Sequence, residues 1–177
     1  MEAIEGMKTD VSPGGGNPGS DIPAFRPADL DKLDALVGDW EMEACFAPGF
    51  FGPDSPAIMN SDGRTTFEWL EGRFFLCQRW RNDHPAAPSG IAIIGPGDHA
   101  GTLVQHYYDE RGVARVYQMA FDGVVWTIWR GGVGVAHQRY TGRLSGDGNR
   151  IEGSWASSPD GRGWSHDFDL HYIRSTR

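Results

Sequence analysis

The chain has 177 residues, of which 24 are acidic and 16 basic, giving a formal net charge of −8. That balance argues against a nucleic acid or an anionic membrane surface as the main partner, and no stretch approaches the roughly 20 apolar residues that cross a bilayer. Residues 1–26 lack the basic start and apolar run of a secretory signal, being interrupted by Glu2, Glu5 and Asp10, so a cytoplasmic protein with free thiols at Cys45 and Cys77 is expected.

The first 26 residues include Pro13-Gly14-Gly15-Gly16-Asn17-Pro18-Gly19-Ser20, too poor in apolar groups to offset the entropy of ordering, and a flexible tail is expected there. Pro27 then sits where a helix starts, Leu30, Leu33 and Val37 recur at helical spacing, and Gly38 supplies a stop. A helix this short must rest its apolar face on something, and the open end of a barrel is the natural place. From Trp40 to Arg174, apolar and polar residues alternate between breaks at Gly, Asp, Asn or Pro, the pattern of an antiparallel meander. Strands are expected over 38–46, 90–95, 136–144, 150–157 and 164–174. Two further hairpins turn at Glu71-Gly72 and at Asp122-Gly123, each read as a two-residue turn.

Asp109–Val113 reads as a three-residue loop with Gly112 in the left-handed region. Ala47–Asp62 is longer than a hairpin turn and unusually apolar, so it is either a lid over the barrel mouth or a loop packed on the exterior. Gly131-Gly132-Val133-Gly134 joins two β patterns and opens no helix, which makes it a connection rather than a phosphate cradle. The sum is an all-β fold: a single up-and-down antiparallel barrel of about 8–10 strands over residues 27–177, with the short helix closing one end.

The turns decide which side chains share a face. The Glu71-Gly72 register groups Phe67, Trp69, Phe74, Leu76, Gln78 and Trp80, the more aromatic set and therefore the inward one. The Asp122-Gly123 register groups Arg115, Tyr117, Met119, Phe121, Val124, Trp126, Ile128 and Arg130, and sets Arg115 directly opposite Arg130. The Gly112 loop brings Gln105 and Tyr107 onto the face of Arg115. A polar minority made of these residues with Gln138, Tyr140, His166 and Tyr172 thus points into an apolar interior and needs partners. Two guanidinium groups beside Tyr107 and Tyr117 suit a carboxylate or another compact anion, the alternative being a solvated position at the rim. His166, on the parity of Phe168, Leu170 and Tyr172, is either a satisfied core histidine or a general base or haem ligand. There is no zinc pattern, nucleophile elbow or dinucleotide fingerprint, and no metal or cofactor is expected.

Several runs carry a resemblance. Leu36-Val37-Gly38-Asp39-Trp40-Glu41, Gly63-Arg64-Thr65-Thr66-Phe67-Glu68-Trp69-Leu70-Glu71-Gly72, Gly90-Ile91-Ala92-Ile93-Ile94-Gly95, Gln105-His106-Tyr107-Tyr108-Asp109, Arg111 to Tyr117 and Phe168-Asp169-Leu170 look like an actinobacterial family of calycin-like, lipocalin-like barrels of unknown function. The resemblance spans roughly residues 30–174 and implies the barrel and a bacterial cytosolic setting, with no catalytic residues to carry over. Fatty-acid-binding barrels hold a carboxylate with an Arg-x-Tyr arrangement, which Arg115-Val116-Tyr117 resembles in type though not in strand position. The glycine-rich start and late histidine context of nitrobindin-like haem proteins are not seen.

Two functions follow from the residues. In the first, the barrel binds a small, largely apolar molecule with an anionic or polar end, its body against Trp40, Phe67, Trp69, Phe74, Trp80, Met119 and Trp126 and its polar end held by Arg115 with Arg130, with Gln78, Gln105, Tyr107 and Tyr117 also in the binding site. In the second, it is a cofactor-independent cyclase, isomerase or dehydratase of natural-product biosynthesis, with Tyr107, Tyr117, Tyr140 or His166 moving or stabilising charge.

Overall fold

The computed structural model describes residues 25–84, 87–99, 101–132 and 134–176; the tail expected over 1–26 falls almost entirely outside them. A 3₁₀ helix, Ala28–Leu36, leads into ten strands: β1 Gly38–Phe46, β2 Ile58–Trp69, β3 Leu76–Arg81, β4 Gly90–Pro96, β5 Leu103–Asp109, β6 Ala114–Phe121, β7 Val125–Gly132, β8 Val135–Leu144, β9 Arg150–Ser158 and β10 Ser165–Arg174. Each strand pairs antiparallel with its neighbours in sequence, and β1 pairs with β10 to close the ring. Closure leaves no unpaired sheet edge, the usual weakness of an all-β chain. Among the described residues no helix is long and apolar enough to cross a membrane.

The helix is wound with three residues per turn, so a three-residue repeat lines up along one side. Leu30, Leu33 and Leu36 form that stripe and are fully buried, while Val37, expected on it, is only half-buried. The leucines join Trp40, Phe67, Leu103, Phe121 and Trp126 in the core, which places the helix over the end of the barrel where β1 begins and β2 and β10 finish. Trp40 Nε1–H donates to the Leu36 carbonyl at 2.8 Å, and Trp69 Nε1–H donates to the Asp34 carboxylate at 2.7 Å. Both indoles therefore belong to the plug.

Two turns differ from the expected registers. After β2 the chain runs on to Phe75 before it pairs, so Phe67 faces Gln78 and Trp69 faces Leu76. At the β6–β7 turn the Asp122 carboxylate accepts the N–H groups of both Val124 and Val125, at 2.8 and 2.7 Å, and Gly123 takes a φ of +99°. That moves the turn one residue on, and Phe121 pairs with Trp126 instead of flanking the turn opposite Val124. Arg115 and Arg130 are consequently not opposite each other. Each offset is two residues, which preserves the side-chain alternation, and the strand residues of the expected inward sets keep their face, but Val124, expected inward, lies in the turn and is exposed. The β5–β6 loop follows the expected geometry, with Asp109 bonded to Val113 and Gly112 at φ +79°.

β9 and β10 differ more seriously. His166 pairs with Ala156 but Phe168 pairs with Trp155, so Asp167 is the extra residue of a β-bulge. A one-residue bulge reverses the alternation. His166 is therefore exposed, bonded to Asp169 at 2.9 Å, and the expectation that it points inward is corrected.

Tyr140 shows how tightly the interior is packed. Its ring lies over the cross-strand pair Gly142 and Gly153, and its hydroxyl donates to the Leu170 carbonyl at 3.1 Å. A methyl group at Gly153 would come within 2.3 Å of that hydroxyl. Gly153→Ala should therefore lower the unfolding free energy by about 1–3 kcal/mol, measured by urea denaturation, whereas Gly146→Ala, which meets nothing within 4 Å, should change it by less than about 0.5 kcal/mol.

Candidate functional site

With the helix end filled, the room inside the barrel lies toward the other end. A cavity of about 420 Å³ opens there, between the β1–β2, β3–β4 and β5–β6 connections, within the range of small-molecule sites. Its floor is aromatic. Trp126 is 1% exposed and packs edge-on against Phe67 and Tyr140, with ring centroids 5.9 and 5.3 Å away. Ile128, Tyr172, Leu170 and Trp155 continue the apolar wall. At the rim, Phe46 contacts Phe50 and Phe51, each with centroids at 4.9 Å.

Those two rings settle the role of the β1–β2 connection. It spans 47–57, because Ile58 to Asp62 belong to β2. Its backbone bonds to itself, with Gly49 N–H on the Ser55 carbonyl at 2.8 Å and Ser55 N–H on the Gly52 carbonyl at 2.9 Å. Phe50 and Phe51 are thereby turned onto the mouth, where both line the cavity.

The polar side chains fall into two levels. At the rim, Arg115 Nη1 donates to Gln138 Oε1 at 3.1 Å and approaches the Tyr117 hydroxyl at 3.4 Å. Among the described residues it makes no ion pair, although the Asp167 carboxylate lines the same cavity. Arg111, beside it, is already held by Asp109 at 2.7 Å. The Asp109 side chain is fully buried and also accepts the Tyr107 hydroxyl at 2.8 Å. Arg111 above all keeps that carboxyl well below the usual carboxylate range, and burial together with Asp109 pushes the Tyr107 phenol up. Burial likewise raises the phenols of Tyr140 and Tyr172. Asp167, delivered to the rim by the bulge, accepts the Ser157 hydroxyl at 2.6 Å.

Deeper down, two buried groups have no hydrogen-bond partner among the described residues: Gln105 Oε1 and Trp126 Nε1. Both residues line the cavity and are at least 96% buried, Gln105 being 4% and Trp126 1% exposed. Leaving such a group unpaired costs about 1–3 kcal/mol. Gln78, also buried, lines the cavity beside Tyr172.

The cavity thus gathers Gln78, Trp80, Gln105, Tyr107, Arg115, Tyr117, Trp126 and Tyr140 of the residues expected to form the site. It does not gather the rest. Trp40 and Trp69 pack at the plug, Met119 is buried in the core away from the lining, and His166 is outside. Arg130 stands beside Tyr117, its guanidinium 6.0 Å from the ring, and does not line the cavity. Phe46, Arg111, Trp155 and Asp167 line it although the sequence did not single them out. For Asp167 no signal exists, since the alternation of Phe168, Leu170 and Tyr172 runs on smoothly through the bulge.

A second depression, about 850 Å³, lies outside the barrel across β2–β5. It is larger but open, and its arginines are partly engaged, Arg79 by Glu68 and Arg64 by Glu41. Enclosure and the unpaired groups favour the interior. Among the described residues, no three His, Cys, Asp or Glu side chains gather as a metal would require.

Comparison with known proteins adds the fold's company. The crystal structure of Rv2717c from M. tuberculosis superposes with a TM-score of 0.56 at 14% identity, covering 86% of this chain and 100% of that one. The likeness is one of fold. No family model matches, and no curated protein matches in sequence.

The Asp109 cluster makes a pH-dependent prediction. A carboxyl whose value is depressed on folding contributes stability above its unfolded value, about 4, and loses it as the pH falls toward the folded value. Asp109→Asn should cost about 2 kcal/mol at pH 7, and the gap between wild type and variant in urea denaturation should narrow below about pH 4.

Proposed function

We propose that the barrel binds a small, largely apolar organic acid inside this cavity, with its carboxylate on Arg115 and its body against Trp126, Ile128 and Tyr172. The observation that carries the reading is Arg115 itself. A half-buried guanidinium whose recorded partners are an amide oxygen and a phenol has donors left for an anion. The volume, equal to that of about fourteen waters at ~30 Å³ each, suits a molecule of about that many non-hydrogen atoms. The self-bonded β1–β2 loop then places Phe50 and Phe51 as apolar cover over the entrance.

On this reading the calycin-like resemblance extends to use: the protein carries its ligand within the barrel, in the cytoplasm, and its partner is that ligand rather than a nucleic acid or a membrane. Binding has more support than acid–base catalysis by a cyclase, isomerase or dehydratase. The phenols of Tyr107, Tyr140 and Tyr172 are all raised away from neutrality, and His166 lies outside, so none of these four groups is tuned to exchange protons with a ligand in the cavity near pH 7.

Phenylhexanoate and its methyl ester, titrated by tryptophan fluorescence, test the proposal. Arg115→Met should weaken the acid about tenfold or more and leave the ester nearly unchanged. Equal losses for both would refute the anchor.

A further inference from the structure

The mouth of the cavity holds a second charge besides Arg115, and the fold keeps the two apart. The bulge in β10 re-aims Asp167, which lines the cavity beside Phe168. Its side chain is half-buried, and Oδ1 accepts the Ser157 hydroxyl at 2.6 Å. A carboxylate offers about four acceptor positions, so most of its capacity is open to the cavity.

The two charges are positioned by one pair of strands. Gln138 of β8 holds Arg115, Ser157 of β9 holds Asp167, and Gln138 and Ser157 are direct cross-strand partners. Partners of this kind share a face, with Cβ atoms about 5 Å apart, which sets the guanidinium and the carboxylate at a separation on the order of 10 Å. Among the described residues neither makes an ion pair, so the gap between them exceeds 4 Å. An opening bounded by one cation and one anion, both half-buried, is the space for a dipolar group.

Charge balance points the same way. Of the charged side chains that line the cavity, Arg111 is matched by Asp109, which leaves Arg115 and Asp167. A plain carboxylate on Arg115 meets the like charge of Asp167 across the mouth, a repulsion that partial enclosure strengthens. An ammonium next to the ligand's carboxylate turns that repulsion into a charge-assisted hydrogen bond.

We infer that the ligand is an amino acid with a large apolar side chain, its carboxylate on Arg115, its ammonium on Asp167 and its side chain against Trp126 and Ile128. This rests on the binding reading above and narrows its organic acid to a zwitterion.

Calorimetric titration at pH 7 of phenylhexanoate, its α-amino and β-amino derivatives and their N-acetyl forms tests it. At least one free amino acid should bind wild type about tenfold tighter than the parent acid, and its N-acetyl form, which has no positive charge, should lose that gain. Asp167→Asn should erase the gain while binding the parent acid as tightly as wild type does, or more tightly, because the repulsion is gone. If Asp167→Asn does not fold, the free amine against its N-acetyl form on wild type decides.

Three results would overturn the assignment: no gain for either amino derivative, an equal gain for the N-acetyl forms, or equal losses for parent and amino acid in Asp167→Asn. The two readings separate cleanly. An amine without effect, with the acid still preferred over its methyl ester, removes the zwitterion alone, whereas no preference for acid over ester removes the binding reading beneath it.

Discussion

Arg174 holds the closed end of the barrel together, and the division of the interior follows from it. From the end of the last strand it donates to the carbonyls of Ala35 and Val37 at 2.9 and 2.7 Å and to that of Gly148 at 3.0 Å. Its guanidinium also lies 4.1 Å from the centre of the Trp40 ring. The final carbonyls of a helix lack partners of their own, and here a side chain from the far end of the chain supplies them. The approach requires Gly38: a Cβ at that position would come within 2.8 Å of Arg174 Nη1, and its φ of +127° is one that side chains rarely adopt.

With the leucine stripe seated by this clamp, one half of the barrel is filled with apolar side chains and the other half is left to the cavity. The boundary between them is the Trp126 ring, which touches Phe67 on the plug side and Tyr140 and Tyr172 beside the cavity. Burial is cheap for its carbon face and costly for its N–H. The same indole therefore finishes the core and forms the floor of the cavity. At the rim the chemistry changes to charge, and Asp109 disposes of Arg111 locally, so that Arg115 is the cation left facing inward.

Most of the barrel was legible in the sequence because its signal, alternation, survives the commonest error. Both mistaken turns displaced pairing by two residues, and Phe67, Leu76, Tyr117, Met119, Trp126 and Ile128 are buried as expected. What the same error destroyed was opposition: Arg115 and Arg130 share a parity without sharing a site. The bulge at Asp167 was illegible for the converse reason. It reverses parity inside a strand whose residues show no interruption, sending His166 out and an acidic side chain to the rim. Depth along the barrel was equally hidden. Trp40, Trp69 and Trp126 all read as inward aromatics, and their positions along the barrel decide that, of these three, only Trp126 lines the cavity.

On the binding reading proposed here, the cavity end of the barrel, and not the outer groove across β2–β5, takes an acid held by Arg115. A crystal structure of the protein grown with phenylhexanoate tests this most directly. Electron density is expected inside the barrel, with the carboxylate in hydrogen-bond range of the Arg115 guanidinium, the phenyl ring toward Trp126, and Leu30, Leu33 and Leu36 unmoved. Density lying in the outer groove, or a cavity filled by side chains that exclude the acid, would contradict it.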